Sequence, residues 1–324
     1  MYLRYLPSAL IKHQASSDLI LLQEWWFDDK FTTIFDKATS HLFERIAERR
    51  PDGSGGMRDD GMCCLVRKKG ALELVKSGRV LTGPQRIAQI VQCRERCKNG
   101  SAGRNVFIAN SHLSFPGDDD DRINDKRQAI EAGIILEALT KASHEYELDT
   151  TISEHEALEI ICGDFNSNSC GGAASLLESS PYNFVNCASA TAQQMLTNVG
   201  GPVNIGVTHC DHLGNKVSVD HIFLRLKRRL AQTSINGKAK SSSTKKERCA
   251  ALAFGYLDEK GSRIVNVKRD DILIEGKTVL SDHRPVTAEI LWPRVIANET
   301  FDSDLYINVT MPLDPLEPAW GIVE

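Results

Sequence analysis

Short apolar runs of strand length recur along this chain, and each is met at one end by a carboxylate, an imidazole or an amide. Leu21-Leu-Gln-Glu24 closes the run that starts at Asp18, and Asn110-Ser-His-Leu-Ser-Phe-Pro116 closes the run that starts at Asn105. Gly163-Asp-Phe-Asn166 follows Leu158–Cys162, Val219-Asp-His-Ile-Phe223 lies in the run 217–224, and Ser281-Asp-His-Arg-Pro-Val286 leads into 285–292. Apolar runs of this length bounded by turn residues read as buried strands. Polar groups at strand ends that converge on one edge of packed sheets would form a cleft, and the C-terminal ends of strands are where α/β proteins place their chemistry.

The spacing predicts strands over 18–23, 61–67, 72–77, 86–93, 105–112, 158–162, 203–209, 217–224, 264–274 and 285–292, with neighbours in the first half pairing antiparallel across Gly, Lys and Asn-Gly turns. Helical spacing at Phe31, Ile34, Phe35, Ala38, Leu42, Phe43 and Ile46 predicts a helix over 28–49. Further helices are expected at 123–139, entered through the acidic 118–121 stretch, and at 169–178. We expect one domain over residues 1–292, interrupted at about 225–250 by a mobile insertion rich in Lys, Arg, Ser and Thr, and an irregular extension over 293–324. The insertion reads as a solvated loop or as a contact for nucleic acid or an anionic lipid surface.

A net charge of −4 and a pI near 6.2 leave no global footprint for nucleic acid, although a local metal site can still take a phosphate substrate. The nine cysteines form no Cys-x-x-Cys pair, which favours reduced thiols over zinc or a disulfide framework. His209-Cys-Asp-His212 lacks a third ligand and is discounted as a zinc site. With no signal-like h-region and no apolar run long enough for stable membrane insertion, the expectation is a soluble intracellular protein, cytoplasmic or in another intracellular compartment. Nothing in the sequence fixes oligomeric partners.

The polar set suits transfer of a phosphoryl group to water. Glu24 and Asp282 supply hard oxygen ligands for Mg²⁺, with Mn²⁺ as a substitute, and the metal would polarise a phosphoryl oxygen. Asp164, on a tight turn after a strand, is placed to orient and deprotonate the attacking water, and the neutral amide of Asn166 can donate to the phosphate without repelling it. His112 and His283 would contact non-bridging oxygens, with Asp220 orienting His283; His283 can serve as phosphate clamp or as the base. Trp25, Trp26 and Phe27 either stack bases at the rim or pack the helix that follows.

These five motifs, in this order over residues 19–292, resemble the endonuclease/exonuclease/phosphatase superfamily, nearest to its deadenylase/nocturnin-like and plant-type branches. The resemblance implies a four-layer α/β sandwich of two mixed, mainly antiparallel sheets flanked by helices. It also implies a metal-dependent phosphoric ester hydrolase acting on a phosphate-ester substrate such as RNA or another nucleic acid. A nuclease on single-stranded RNA is the leading expectation, with sphingomyelinase-like or inositol-phosphate phosphatase activity as alternatives and a catalytically impaired binding protein as an alternative of another class. The family pattern includes a strand bearing an Asn ahead of the Gln-Glu strand; no such Asn precedes Asp18, and that first strand is expected to be missing.

Overall fold

The computed structural model describes residues 17–51, 59–97, 103–117, 120–149, 157–187, 208–210, 216–227, 250–257, 263–264, 273–274, 278–279, 286–292 and 305–311. In chain order the elements begin with β1 (Leu19–Trp26), α1 (Asp29–Thr39), β2 (Phe43–Arg49), β3 (Asp60–Arg67), β4 (Leu72–Gly83), β5 (Arg86–Glu95), β6 (Asn105–His112), α2 (Asp121–Asp149) and β7 (Ala157–Asp164). They continue with α3 (Gly172–Glu178), β8 (Val185–Asn186), β9 (His209–Cys210), β10 (Lys216–Val217), β11 (Asp220–Lys227) and β12 (Ala250–Leu257). The last are β13 (Arg263–Ile264), β14 (Leu273–Ile274), β15 (Thr278–Val279), β16 (Val286–Trp292) and β17 (Leu305–Met311).

Two mixed sheets carry the molecule, ordered β13-β12-β16-β17-β1-β3-β2 and β4-β5-β6-β7-β11-β8. Pairing is antiparallel except for β6 with β7 and β1 with β17. Because successive strand residues face opposite sides, each sheet divides its apolar residues between two layers. Leu19, Leu21, Cys64, Val66, Val106, Ile108, Leu158, Ile160, Ile222 and Val309 meet between the sheets. On the outer face of the larger sheet, Ile20, Leu22, Trp25 and Leu65 pack on Phe31 and Phe35 of α1; on that of the smaller, Phe107, Ala109 and Ile161 pack on α2 and α3. Helix, sheet, sheet, helix is the expected four-layer sandwich.

Several elements differ from the sequence reading. The helix expected over 28–49 stops at Thr39, where Ser40 N–H returns to Asp36 O and the Thr39 hydroxyl to Phe35 O, and 43–49 is the edge strand β2. Phe43 and Ile46 fit either period; β3 decides, since its outer edge gains a seven-residue ladder from β2. The run 217–224 is split into β10 and β11 by Thr208, whose hydroxyl accepts from Val219 N–H at 2.8 Å and Asp220 N–H at 3.1 Å.

The basic insertion also begins later than expected. Residues 225–227 are still β11, with Arg225 paired to the buried Glu159 at 2.5 Å, and 250–257 is a strand that the sequence reading did not anticipate. The segment 293–324 is not irregular throughout, because β17 lies inside the larger sheet, paired with β16 over seven residues and with β1 at Leu19 and Ile20. Of the strands expected at 203–209 and 264–274, the described residues hold the first residue of β9, the last of β13 and the whole of β14.

Candidate active site

The layer between the sheets changes character along its length. On β6, Val106 and Ile108 give way to Asn110 and His112; on β7, Leu158, Ile160 and Cys162 give way to Asp164; on β11, Leu224 and Ile222 lead back to Asp220; on β1, Leu19 and Leu21 lead to Gln23. These polar residues keep the two-residue alternation of the core and so point into the same layer, at one edge. All are buried, so each must find a partner. Gln23 Nε2 donates to Asn110 Oδ1 at 2.6 Å, and Asn110 Nδ2 donates to Leu22 O at 3.0 Å, which locks the two sheets together beneath the edge.

Glu24 is turned toward this layer by a bulge. The β1–β3 register shifts between Leu22 and Trp25, and Glu24 sits at φ +48°, a left-handed conformation that side chains with a Cβ adopt at some cost. The extra residue lets Gln23 and Glu24 both reach β6 while Trp25 returns to the opposite face. Trp25 is 1% exposed and packs on Phe31 and Phe35 at 4.8 and 4.7 Å, so it belongs to the α1 core and not to a base-stacking rim.

His112 lies between two carboxylates, with Nδ1 3.7 Å from Glu24 Oε1 and Nε2 3.6 Å from Asp164 Oδ2. Both separations are ion-pair distances slightly longer than a hydrogen bond. Arg50 Nη2 approaches His112 Nδ1 at 3.4 Å; a guanidinium only donates, so this contact favours the tautomer that carries the ring proton on Nε2, toward Asp164. Asp164 is fixed by its Oδ1, which accepts from Asn166 N–H at 2.7 Å. Gly163 precedes it at φ +137°, where a Cβ would stand 1.8 Å from Ser111 O, so the close approach of β6 and β7 there requires glycine.

Asn166, at φ +49°, donates one amide hydrogen to Leu113 O at 2.9 Å, and its own carbonyl accepts from Gln128. Asp220 stands directly opposite Asp164 in the β7–β11 ladder, two like charges that are held only at a cost unless cations offset them. The structure thus brings Glu24, His112, Asp164, Asn166 and Asp220 to one edge. Asp282 and His283 lie outside the described residues, as do Asp211 and His212 of the discounted zinc motif. Among the described residues, no group of three or more His, Cys, Asp or Glu side chains could hold a metal ion. Mg²⁺ does not demand such a cage, since it binds through one or two carboxylates and keeps several waters, and Glu24 fits that requirement.

Three neighbours escaped the sequence reading. Arg50 carries a buried ion pair to Asp60 at 2.9 Å, and Arg86 begins β5 beside the site. Arg86 follows the Gly83-Pro84-Gln85 turn and Arg50 directly follows β2, and nothing in the local sequence pattern marks either as a site residue. His221 is the third: Nε2–H donates to Ser167 O at 2.9 Å, and burial pushes its pKa below the ordinary value, so it is a neutral wall of the fold.

No family model matches the chain, and no curated protein matches it. Among solved structures, it is similar to an endonuclease/exonuclease/phosphatase from Bacteroides vulgatus, at 13% identity and a TM-score of 0.53 over 89% of both chains. It is also similar to ANGEL2, a 2',3'-cyclic phosphatase in complex with adenosine-2',3'-vanadate, at 15% identity and a TM-score of 0.50 over 70% of this chain and 78% of that one. With two facing mixed sheets, outer helices and a polar cluster closing the layer between them, the chain has the endonuclease/exonuclease/phosphatase fold.

Proposed function

We propose that the chain is a Mg²⁺-dependent phosphoesterase that hydrolyses a phosphodiester by in-line attack of water, with single-stranded RNA as its substrate. The observation that carries this reading is His112 held between Glu24 and Asp164 at 3.7 and 3.6 Å, with Asp220 next in the ladder. Such a set can orient water, accept its proton and donate to a phosphoryl oxygen within a few ångströms.

Asp164, pinned by Asn166 N–H, orients and deprotonates the water. His112 donates Nε2–H to a non-bridging oxygen, and Asn166 supplies its second amide hydrogen. Glu24 and Asp282 would hold Mg²⁺, which supplies Lewis-acid polarisation when bound. Asp220 orients His283. Sheet register supports including the last motif: Ile20 is level with Thr310 and Thr310 with Thr287. Glu24 follows Ile20 on β1 and the last motif precedes β16 in sequence, and the C-terminal end of β1 and the N-terminal end of β16 lie on one side of the sheet.

The test is cleavage of end-labelled single-stranded oligo(A) by the folded chain with Mg²⁺ and with EDTA, beside sphingomyelin vesicles and an inositol-phosphate panel. EDTA-sensitive shortening of the RNA is the expected result. Release from lipid or inositol phosphates alone would overturn RNA as substrate, and silence of the folded chain on every substrate would overturn catalysis. No helix among the described residues is long and apolar enough to cross a membrane.

A further inference from the structure

We infer that Arg86, braced by Arg50, is the phosphate-binding arginine of this site and takes non-bridging oxygens of the substrate's phosphate in its guanidinium fork. The inference rests on the phosphoesterase reading and adds to it a residue that the motifs do not contain.

Position comes first. β5 runs antiparallel to β6 with Ala88 opposite Ser111, so Arg86, two residues before Ala88, is level with Leu113, one residue past His112, and leaves the strand end on the α2 side with Ala88. The β4–β5 turn that delivers it is tight: Gly83 pairs with Arg86, and Gln85 takes φ +58° behind Pro84. Arg50 ties this turn to the catalytic cluster, donating from Nη1 to Gln85 O at 3.1 Å and approaching His112 with Nη2. On the other side, a Cβ on Gly83 would lie 2.9 Å from Glu131 Oε1 and 3.8 Å from Arg86 Cβ, so Glu131 and Arg86 close on the same glycine. Glu131 is itself engaged, accepting from Ser114 N–H at 2.8 Å and from the Ser114 hydroxyl.

The charges are unevenly committed. Arg50 Nε and Arg86 Nη1 are both buried without a hydrogen-bond partner among the described residues, but Arg50 is charge-paired with Asp60 at 2.9 Å and donates to Gln85 O. Burial and the like charge of Arg50 weaken Arg86's hold on its proton, and Glu131, Asp164 and Glu24 strengthen it, so it senses both carboxylates that flank His112. A site that gathers Glu24, Asp164 and Asp220 repels a phosphate unless fixed cations face the anion, and a planar guanidinium matches two phosphoryl oxygens at once. An under-bonded arginine within the field of Glu24 and Asp164 supplies that charge.

The experiment measures inorganic phosphate binding to the full chain by calorimetry in EDTA, for wild type, Arg86→Gln and Arg86→Lys, alongside KM and kcat with Mg²⁺. We expect phosphate to bind wild type, Arg86→Gln to weaken phosphate binding and raise KM at least about tenfold, as loss of a charged hydrogen bond does, and Arg86→Lys to recover part of the loss. Equal phosphate binding in Arg86→Gln and wild type would overturn the inference, as would a drop in kcat and thermal midpoint with phosphate binding intact, the mark of a purely structural arginine. Should Arg86→Gln not fold, Arg86→Lys decides: weaker phosphate binding and a raised KM there are expected, and values equal to wild type, or no phosphate binding by wild type, would overturn the inference. A wild type that binds phosphate through Arg86 but turns over no substrate would remove the proposed function and leave the inference standing.

Discussion

At the start of β6, Arg104 and Glu95 are matched atom for atom: Glu95 Oε2 accepts from Arg104 N and Nε at 3.3 and 3.0 Å, and Oε1 accepts from Nη2 at 3.2 Å. At the end of the same strand, His112 stands 3.6 to 3.7 Å from two carboxylates, Glu24 and Asn166 occupy left-handed backbone conformations, and Arg86 keeps a buried nitrogen without a hydrogen bond among the described residues. Both ends are buried and charged. At the first end the two charges are matched within the fold; at the second, two carboxylates gather round one imidazole and two residues are held in left-handed backbone by the rest of the sheet, the arrangement on which the proposed chemistry rests.

Breaking the matched end should cost the most stability. Arg104→Met strands a buried Glu95 carboxylate and is expected to lower unfolding free energy by about 3–5 kcal/mol while leaving turnover per folded molecule unchanged, measured by urea unfolding beside a rate assay. At the other end, Glu24→Gln should lower turnover at least about a hundredfold with little loss of stability, read from the same pair of assays. Thr208→Val leaves Val219 N–H and Asp220 N–H without their acceptor and should cost roughly 1–3 kcal/mol, with a smaller drop in rate as Asp220 shifts.

The smallest effect concerns pH. The pKa of His221 is depressed in the fold, so the unfolded chain binds its proton more readily; the stability it contributes is present above the ordinary value near 6.5 and is lost as pH falls below it. Thermal midpoints recorded from pH 8 to pH 5 should fall less steeply in His221→Gln than in wild type.

The site was legible where strand alternation carries it. Val106, Ile108, Asn110 and His112 write the passage from core to cleft in one line of sequence, and the same passage recurs from Leu158 to Asp164. Gly163 was readable as a turn residue, though its necessity, the approach of Ser111 O, depends on a neighbouring strand. What stayed hidden was set by distant pairing. The segment 43–49 fits a helix until β3 offers an edge; β17 is flanked by acids and prolines, and only its place between β16 and β1 makes it a core strand. Arg50 directly follows β2 and Arg86 begins β5, so Arg50's contacts with Gln85 O and His112 arise only when distant strands are brought together.

The most direct test of the account is Asp164→Asn, assayed for Mg²⁺-dependent cleavage of single-stranded oligo(A) and, in the same preparation, for thermal midpoint. The account predicts a loss of turnover of at least about a hundredfold with a midpoint equal to or above wild type, because the substitution relieves the repulsion with Asp220 while removing the base. Near-wild-type turnover would contradict it.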